Sequence, residues 1–218
     1  SRLREDVLKD IVHAPDLRPA IPRQLIKVFQ TKAHRVYPGY APRSAQEVIE
    51  WIDERGYVPE DEWRTLLRVV ARDIGSTPAA VADSICQGIE FLDVGVVARN
   101  AMQRYSLAFN LPDEDEDEPV APPTDDDPLV YWLAEWLRYY GPIPKSYASS
   151  VLQLSSERLD EVVESLLDLR LIVVGRLGED AVEDEFCDAE NYEILLRLTR
   201  RKARPSFTAL PLDQLPLF

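Results

Sequence analysis

The sequence predicts a mainly α-helical protein whose second half is a winged helix, and three observations carry that expectation. Residues 129–140 place Leu129, Trp132, Leu133, Trp136, Leu137 and Tyr140 on one stripe of a helix. The run Gly141-Pro142-Ile143-Pro144 stops that helix. Two more amphipathic segments follow, a short one over 145–152 and a longer one over 156–169. The first turns Tyr147, Val151 and Leu152 inward; the second turns in Leu159, Val162, Val163, Leu166 and Leu167. After them, Leu171–Val174 reads as a buried strand, Gly178–Asp180 as a turn and Ala181–Cys187 as a return strand. Three helices closed by a small two- to three-stranded antiparallel wing make a winged helix, a variant of the helix-turn-helix.

The first 110 residues read as an all-helical domain. A first helix is expected over 2–13. A second begins with Pro22 in its first turn and runs to Val36, with Leu25, Ile26, Phe29 and Ala33 inward. Ser44 and Glu47 are spaced as a capping box for a third helix that Gly56 ends. The clearest helix follows. Trp63, Leu66, Leu67, Val70 and Ile74 form its stripe, Glu60, Asp61 and Glu62 sit at its positive end, and Gly75 closes it. Thr77-Pro78 opens another helix carrying Val81, Ile85 and Ile89. Gly95 interrupts it before a last helix to Ala108. No internal repeat stands out.

Charge separates the two halves. The net charge is −14, but residues 1–110 hold 15 bases and 15 acids, residues 111–127 hold 9 acids and no base, and residues 128–218 hold 10 bases and 15 acids. The acidic stretch Asp113–Glu118 and Asp125–Asp127, with Pro119, Pro122 and Pro123 between, has the composition of an extended, self-repelling linker. A nucleic-acid mimic or a tail for a basic partner is the functional alternative. The domain plan is therefore 1–110, linker 111–127, and winged helix 128–218 with a C-terminal helix and extended tail. No apolar run approaches the ~18 residues of a membrane span. The start, Ser1-Arg-Leu-Arg-Glu-Asp6, is no signal peptide and lacks an initiator Met, so a fragment of a longer chain is expected. Cys86 and Cys187 are expected to be reduced core residues, which points to the cytoplasm.

Several chemistries lack their residues. No glycine precedes a lysine, so there is no P-loop, and no nucleophile elbow is present. His13 and His34 have no metal-ligand spacing to Cys or Asp, so no metal site is expected. Glu161 and Glu164 read as a solvated helix face rather than as an acid–base pair. No catalytic residue is assigned, and this chain alone is not expected to be an enzyme.

The run Trp136–Pro142, the helix after it, Phe186–Asn191, Leu195–Arg197 and Arg204–Phe207 together are similar to one module of the Lhr (large helicase-related) DNA helicases. The match covers about residues 128–218. It also resembles the winged-helix DNA glycosylases of the AlkZ type, although the Gln-x-Gln or Gln-x-Asp motif of those enzymes is absent. The Lhr resemblance implies a winged-helix module that follows an ATPase core, with ATP and magnesium belonging to that core and not to these residues.

Two basic segments are candidates for contact with single- or double-stranded DNA. Between Leu17 and Gln46 there is no acid, and there are six bases, Arg18, Arg23, Lys27, Lys32, Arg35 and Arg43, interleaved with Tyr37 and Tyr40. Phosphate tracking with base stacking needs this mix; Lys and Arg stems covering apolar surface are the ordinary alternative. The second segment is Arg197, Arg200, Arg201, Lys202 and Arg204, which also suits a helix C-terminus, with Glu193–Arg197 as an i,i+4 pair. By contrast, helix 156–169 turns outward Glu157, Arg158, Asp160, Glu161, Glu164 and Asp168, a face that duplex phosphates would repel. At the end of the chain, Gln214, Leu215, Leu217 and Phe218 resemble the Q-L-x-L-F peptide that docks on bacterial sliding clamps. The expectation is a non-catalytic, DNA-associated piece of a Lhr-type helicase, in DNA repair. A freestanding adaptor acting through protein contacts, including clamp binding, is the alternative from a different class. A sequence-specific repressor is the third.

Overall fold

The structure, a computed structural model, describes residues 19–111 and 127–203. The expected first helix, the acidic residues Asp113–Glu118, Asp125 and Asp126, Arg204 and the Gln214–Phe218 peptide lie outside the described residues. Within them the chain is mainly helical, with two small three-stranded antiparallel sheets. The helices are α1 (Arg23–Ala33), α2 (Ala45–Arg55), α3 (Glu60–Ile74), α4 (Pro78–Ile85), α5 (Met102–Phe109), α6 (Pro128–Leu137), α7 (Lys145–Leu152), α8 (Ser156–Asp168) and α9 (Ala189–Ala203). The strands are β1 (Val58–Pro59), β2 (Ile89–Leu92), β3 (Gly95–Ala98), β4 (Ile143–Pro144), β5 (Ile172–Gly175) and β6 (Glu185–Asp188).

The winged helix of the second half is present: α6, β4, α7, α8, then a wing of β5 and β6, with sheet order β4-β6-β5. The return strand is shorter than expected. It begins at Glu185 rather than Ala181. The larger correction concerns the first half, which is not all helix. Residues 89–98 form a hairpin, with Leu92 opposite Gly95 and Ile89 opposite Ala98. The order α2, β1, α3, α4, β2, β3 with sheet order β1-β3-β2 is a second winged helix.

The two copies correspond residue for residue around their first strand. Trp51, Gly56 and Pro59 match Trp136, Gly141 and Pro144, a spacing of 85 residues. In the first copy Val58 and Pro59 pair with Val96 and Gly95; in the second, Ile143 and Pro144 pair with Phe186 and Glu185. Gly95 is required there, because a Cβ would lie 2.5 Å from the carbonyl oxygen of Val58 and 2.6 Å from the ring of Tyr57. In each copy a helix after the wing caps the first helix. Arg104 on α5 donates to the Asp53 carbonyl at 3.1 Å, and Asn191 on α9 donates to the Arg138 carbonyl at 2.8 Å.

One core runs through both copies. It includes Trp51, Ile52, Leu66 and Ile85 from the first, and Leu133, Trp136, Leu166 and Phe186 from the second. A line of rings ties them together: Tyr105 and Phe109 pack on Trp132, Trp132 stacks on Trp136 at 6.3 Å, and Trp136 meets Tyr140 at 4.2 Å. Burying each large aromatic side chain contributes on the order of 2 kcal/mol, so this junction stabilises both copies at once. A smaller cluster seats α1 on the second copy, where Ile21 and Ile26 meet Leu177, Cys187, Tyr192 and Leu195.

Helix ends follow the expected chemistry where a cap is encoded. Ser44 Oγ accepts from the Glu47 amide at 3.2 Å, while the Glu47 carboxylate accepts from the Arg43 amide rather than from the cap itself. Elsewhere four inward assignments fail: Leu171, expected in a buried strand, is exposed just before β5, and the other three lie at helix ends. Ile74 is exposed in the last turn of α3, Leu167 is exposed in the last turn of α8, and Cys86 lies at the surface just past α4, since each sits where its helix leaves the core. Cys187 is a buried free thiol as expected. No described helix is long and apolar enough to cross a membrane.

Candidate nucleic-acid interface

The polar centre of the molecule lies where the two copies meet. Arg55, whose side chain is wholly buried, ends α2 and donates to the carboxylate of Glu62 and to the hydroxyl of Tyr140. Glu62 also accepts from Tyr140 at 2.9 Å and from Tyr147 at 2.7 Å. Tyr139 donates to the Glu54 carbonyl at 3.1 Å. The pairs 54 with 139, 55 with 140 and 62 with 147 share the 85-residue spacing, so equivalent positions of the two copies touch each other. Contacts between equivalent residues mark an interface of the isologous, two-fold kind.

Electrostatics keeps this centre in one ionic state. Burial alone would raise the Glu62 carboxyl, but Arg55 beside it, with His34 and the Tyr147 hydroxyl, holds it below the usual carboxylate range. Burial acts to lower the Arg55 guanidinium, and Glu62 more than offsets it, so Arg55 stays charged. Burial pushes the Tyr140 hydroxyl well up and keeps it protonated. His34 at the end of α1 sits 3.5 Å from Glu62, yet burial, with Arg55 next to it, lowers it from 6.5 to about 4. It is therefore neutral near pH 7. Arg55 Nε and Nη1 and His34 Nε2 are buried without hydrogen-bond partners among the described residues. The Arg55 guanidinium instead lies 5.3 Å over Trp51 and 5.1 Å over Tyr140, where ring faces offset part of the loss.

A cavity of about 500 Å³ opens beside this cluster, and the basic face of α1 forms one wall. Of the expected DNA-binding set, Arg23 and Lys27 line it, together with Thr31 of α1, Asp61 and Thr65 of α3 and Tyr147 of α7. Arg23 is committed elsewhere, 2.9 Å from the buried carboxylate of Glu185. Arg35 is not on the helix at all. The helix ends at Ala33, and Arg35 has a left-handed backbone (φ 54°) with its side chain 3.2 Å from Glu54. Lys32 sits 5.1 Å and 5.5 Å from the ring centres of Tyr37 and Tyr40, which meet edge to face at 5.7 Å and are both exposed. Arg43 is exposed beyond them.

On α9, Arg200, Arg201 and Lys202 are exposed in the last turn, away from the cavity wall, and Arg197 pairs with Glu193 at 2.9 Å as expected. On α8, Arg158 is held by Asp127 at 2.6 Å and Glu161 at 3.1 Å, leaving the rest of that face acidic.

Sequence reasoning missed one basic element. Arg64, Arg68 and Arg72 are exposed at four-residue steps along α3. Their spacing was visible, but the acids on either side of them, Glu60–Glu62 and Asp73, masked it. Arg64 pairs with Glu60 and Arg72 with Asp73, while Arg68 bonds the Arg64 carbonyl and the Thr65 hydroxyl and makes no ion pair among the described residues. Arg64, Arg68, Asp61, Thr65 and Pro78 line a second recess of about 560 Å³. Compared with known proteins, the chain matches no protein-family model and no curated protein.

Proposed function

We propose that this chain is a non-catalytic module of a Lhr-type ATP-dependent DNA helicase, which holds DNA for a motor located elsewhere and serves DNA repair. The observation that supports it best is the exposed Lys32–Tyr37–Tyr40 cluster, with Lys27 five residues earlier on α1, in a stretch without a single acid. A lysine next to exposed aromatic rings suits a polynucleotide, with the cation on phosphate and a ring under a base. ATP and magnesium belong to the motor in this reading.

The test is fluorescence anisotropy on labelled DNA over a range of salt concentrations. Combining Lys32→Glu with Tyr37→Ala and Tyr40→Ala should weaken binding by about 1–3 kcal/mol per lost base stack. It should also lower the salt slope by roughly 1. Unchanged affinity contradicts the proposal. The alternative is an adaptor acting through protein contacts. It is favoured by the acidic outer face of α8 and the exposed Leu167 and Leu169 at its end. It gains if the native chain binds no DNA at low salt and a peptide carrying Gln214, Leu215, Leu217 and Phe218 binds a bacterial sliding clamp.

A further inference from the structure

The two recesses described above adjoin across Asp61 and Thr65 of α3, which line both, and together they make a candidate groove. One end opens on Lys27 and Thr31 of α1, close to the Lys32–Tyr37–Tyr40 cluster at the far end of that helix. The other end opens on Arg64 and Arg68 and on Pro78, the first residue of α4. Lys27 and Arg68, one at each end, make no ion pair among the described residues, and Arg64 pairs only with the exposed Glu60. Asp61, exposed and without a cation partner among the described residues, is the acid between them.

We propose that this groove is the path of a single DNA strand, running from the Tyr37–Tyr40 rings along α1 and across α3 to Arg64 and Arg68. The inference rests on the proposed DNA-holding function and extends it to a second helix and to one form of DNA. Three features favour a single strand over a duplex. The first recess is lined by α1 as well as by α3 and α7, so that part of the path runs between helices. The stacking platform at the start needs unpaired bases. The cations are strung out along the groove: Arg64 and Arg68 alone are about 6 Å apart along the α3 axis, and charges set in a row track a backbone. Asp61 opposes the occupant. A groove that must release its strand as a motor advances has a use for such a charge, since it limits affinity without blocking the path.

The experiment uses the whole chain, a labelled 20-nucleotide oligo-dT and a 20-base-pair duplex. Arg64→Gln with Arg68→Gln should weaken oligo-dT binding and lower its salt slope by about 1.4, twice the ~0.7 per phosphate of single strands. Asp61→Asn should tighten it by about fivefold, the size of one charge contact at 4 Å in water. Because this variant is expected to gain affinity, misfolding cannot imitate the result. Arg158→Gln on α8 should leave binding unchanged. The native chain should bind oligo-dT more tightly than duplex. Preference for duplex overturns the inference. So does loss of binding on changing Lys32, Tyr37 and Tyr40 while the Arg64–Arg68 and Asp61 variants bind as the native chain does; that outcome leaves the DNA-holding function standing. A native chain that binds neither DNA overturns both.

Discussion

The two winged helices share a topology and a strand register, yet they present different surfaces. In the first copy, α4 turns Ala79, Ala80, Asp83 and Ser84 outward, and the arginines of α3 stand beside it. In the second, the equivalent helix α8 turns out Glu157, Asp160, Glu161, Glu164 and Asp168 around a single arginine that is already paired. The buried positions that build the fold were kept, while the exposed positions diverged. A winged helix therefore carries no function by itself. The second copy serves the first by closing the junction core and by seating α1, whose basic face then forms a wall of the groove.

The comparison breaks most severely at the junction. Glu62→Ala leaves the wholly buried Arg55 without its counter-charge, and such losses cost about 3–5 kcal/mol. Urea denaturation should show both copies unfolding together at a lower midpoint, because they share one core. Loss of one copy's signal before the other's contradicts a shared junction.

The next effect is pH-dependent. His34 titrates near 6.5 in the unfolded chain and near 4 in the fold, held down by burial and by Arg55. Between those values the unfolded chain binds the extra proton, so stability falls as pH drops from about 6.5 to about 4 and this contribution levels off below. The loss is at most roughly 3 kcal/mol. The Glu62 carboxylate, held low, adds a further loss at more acid pH. His34→Gln should flatten the stability curve between pH 6.5 and 4; a curve of unchanged slope shows that His34 is not the group responsible.

The smallest effect belongs to the second copy. Asp160→Asn removes an exposed ion pair with Lys145, worth about 0–1 kcal/mol, and should shift the urea midpoint little. A large shift means that this face is more structured than its exposure suggests.

The second winged helix was legible in the sequence because its apolar residues repeat with helical spacing and its turns carry Gly and Pro. The first was hidden by one coincidence. Val81, Ile85 and Ile89 stand four apart and read as one helical stripe, although Ile89 starts a strand. The signals that mark the break, Gly88 and the turn Asp93-Val94-Gly95, were there to be weighed against that periodicity. The repeat then went unseen, since Trp51, Gly56 and Pro59 match Trp136, Gly141 and Pro144 amid otherwise dissimilar neighbours. Half of the candidate interface was legible. Lys27, Lys32, Tyr37 and Tyr40 stood out because no acid lies among them. The Arg64–Arg68 half was not, because Glu60, Asp61 and Glu62 come just before it in sequence while the fold turns Glu62 inward to Arg55. Nor was the Arg55–Glu62–Tyr140–Tyr147 cluster, whose members from the two copies lie 78 to 85 residues apart and meet only through tertiary packing.

The central claim is that DNA lies along α1 and α3, on the side of the first copy, and leaves α8 free. Amide hydrogen exchange on the whole chain, with and without saturating oligo-dT, tests it most directly. Slower exchange in the segments holding Lys27–Tyr40 and Asp61–Arg72, with 156–168 unchanged, is the predicted result. Protection centred on 156–168 with α1 and α3 unaffected contradicts it.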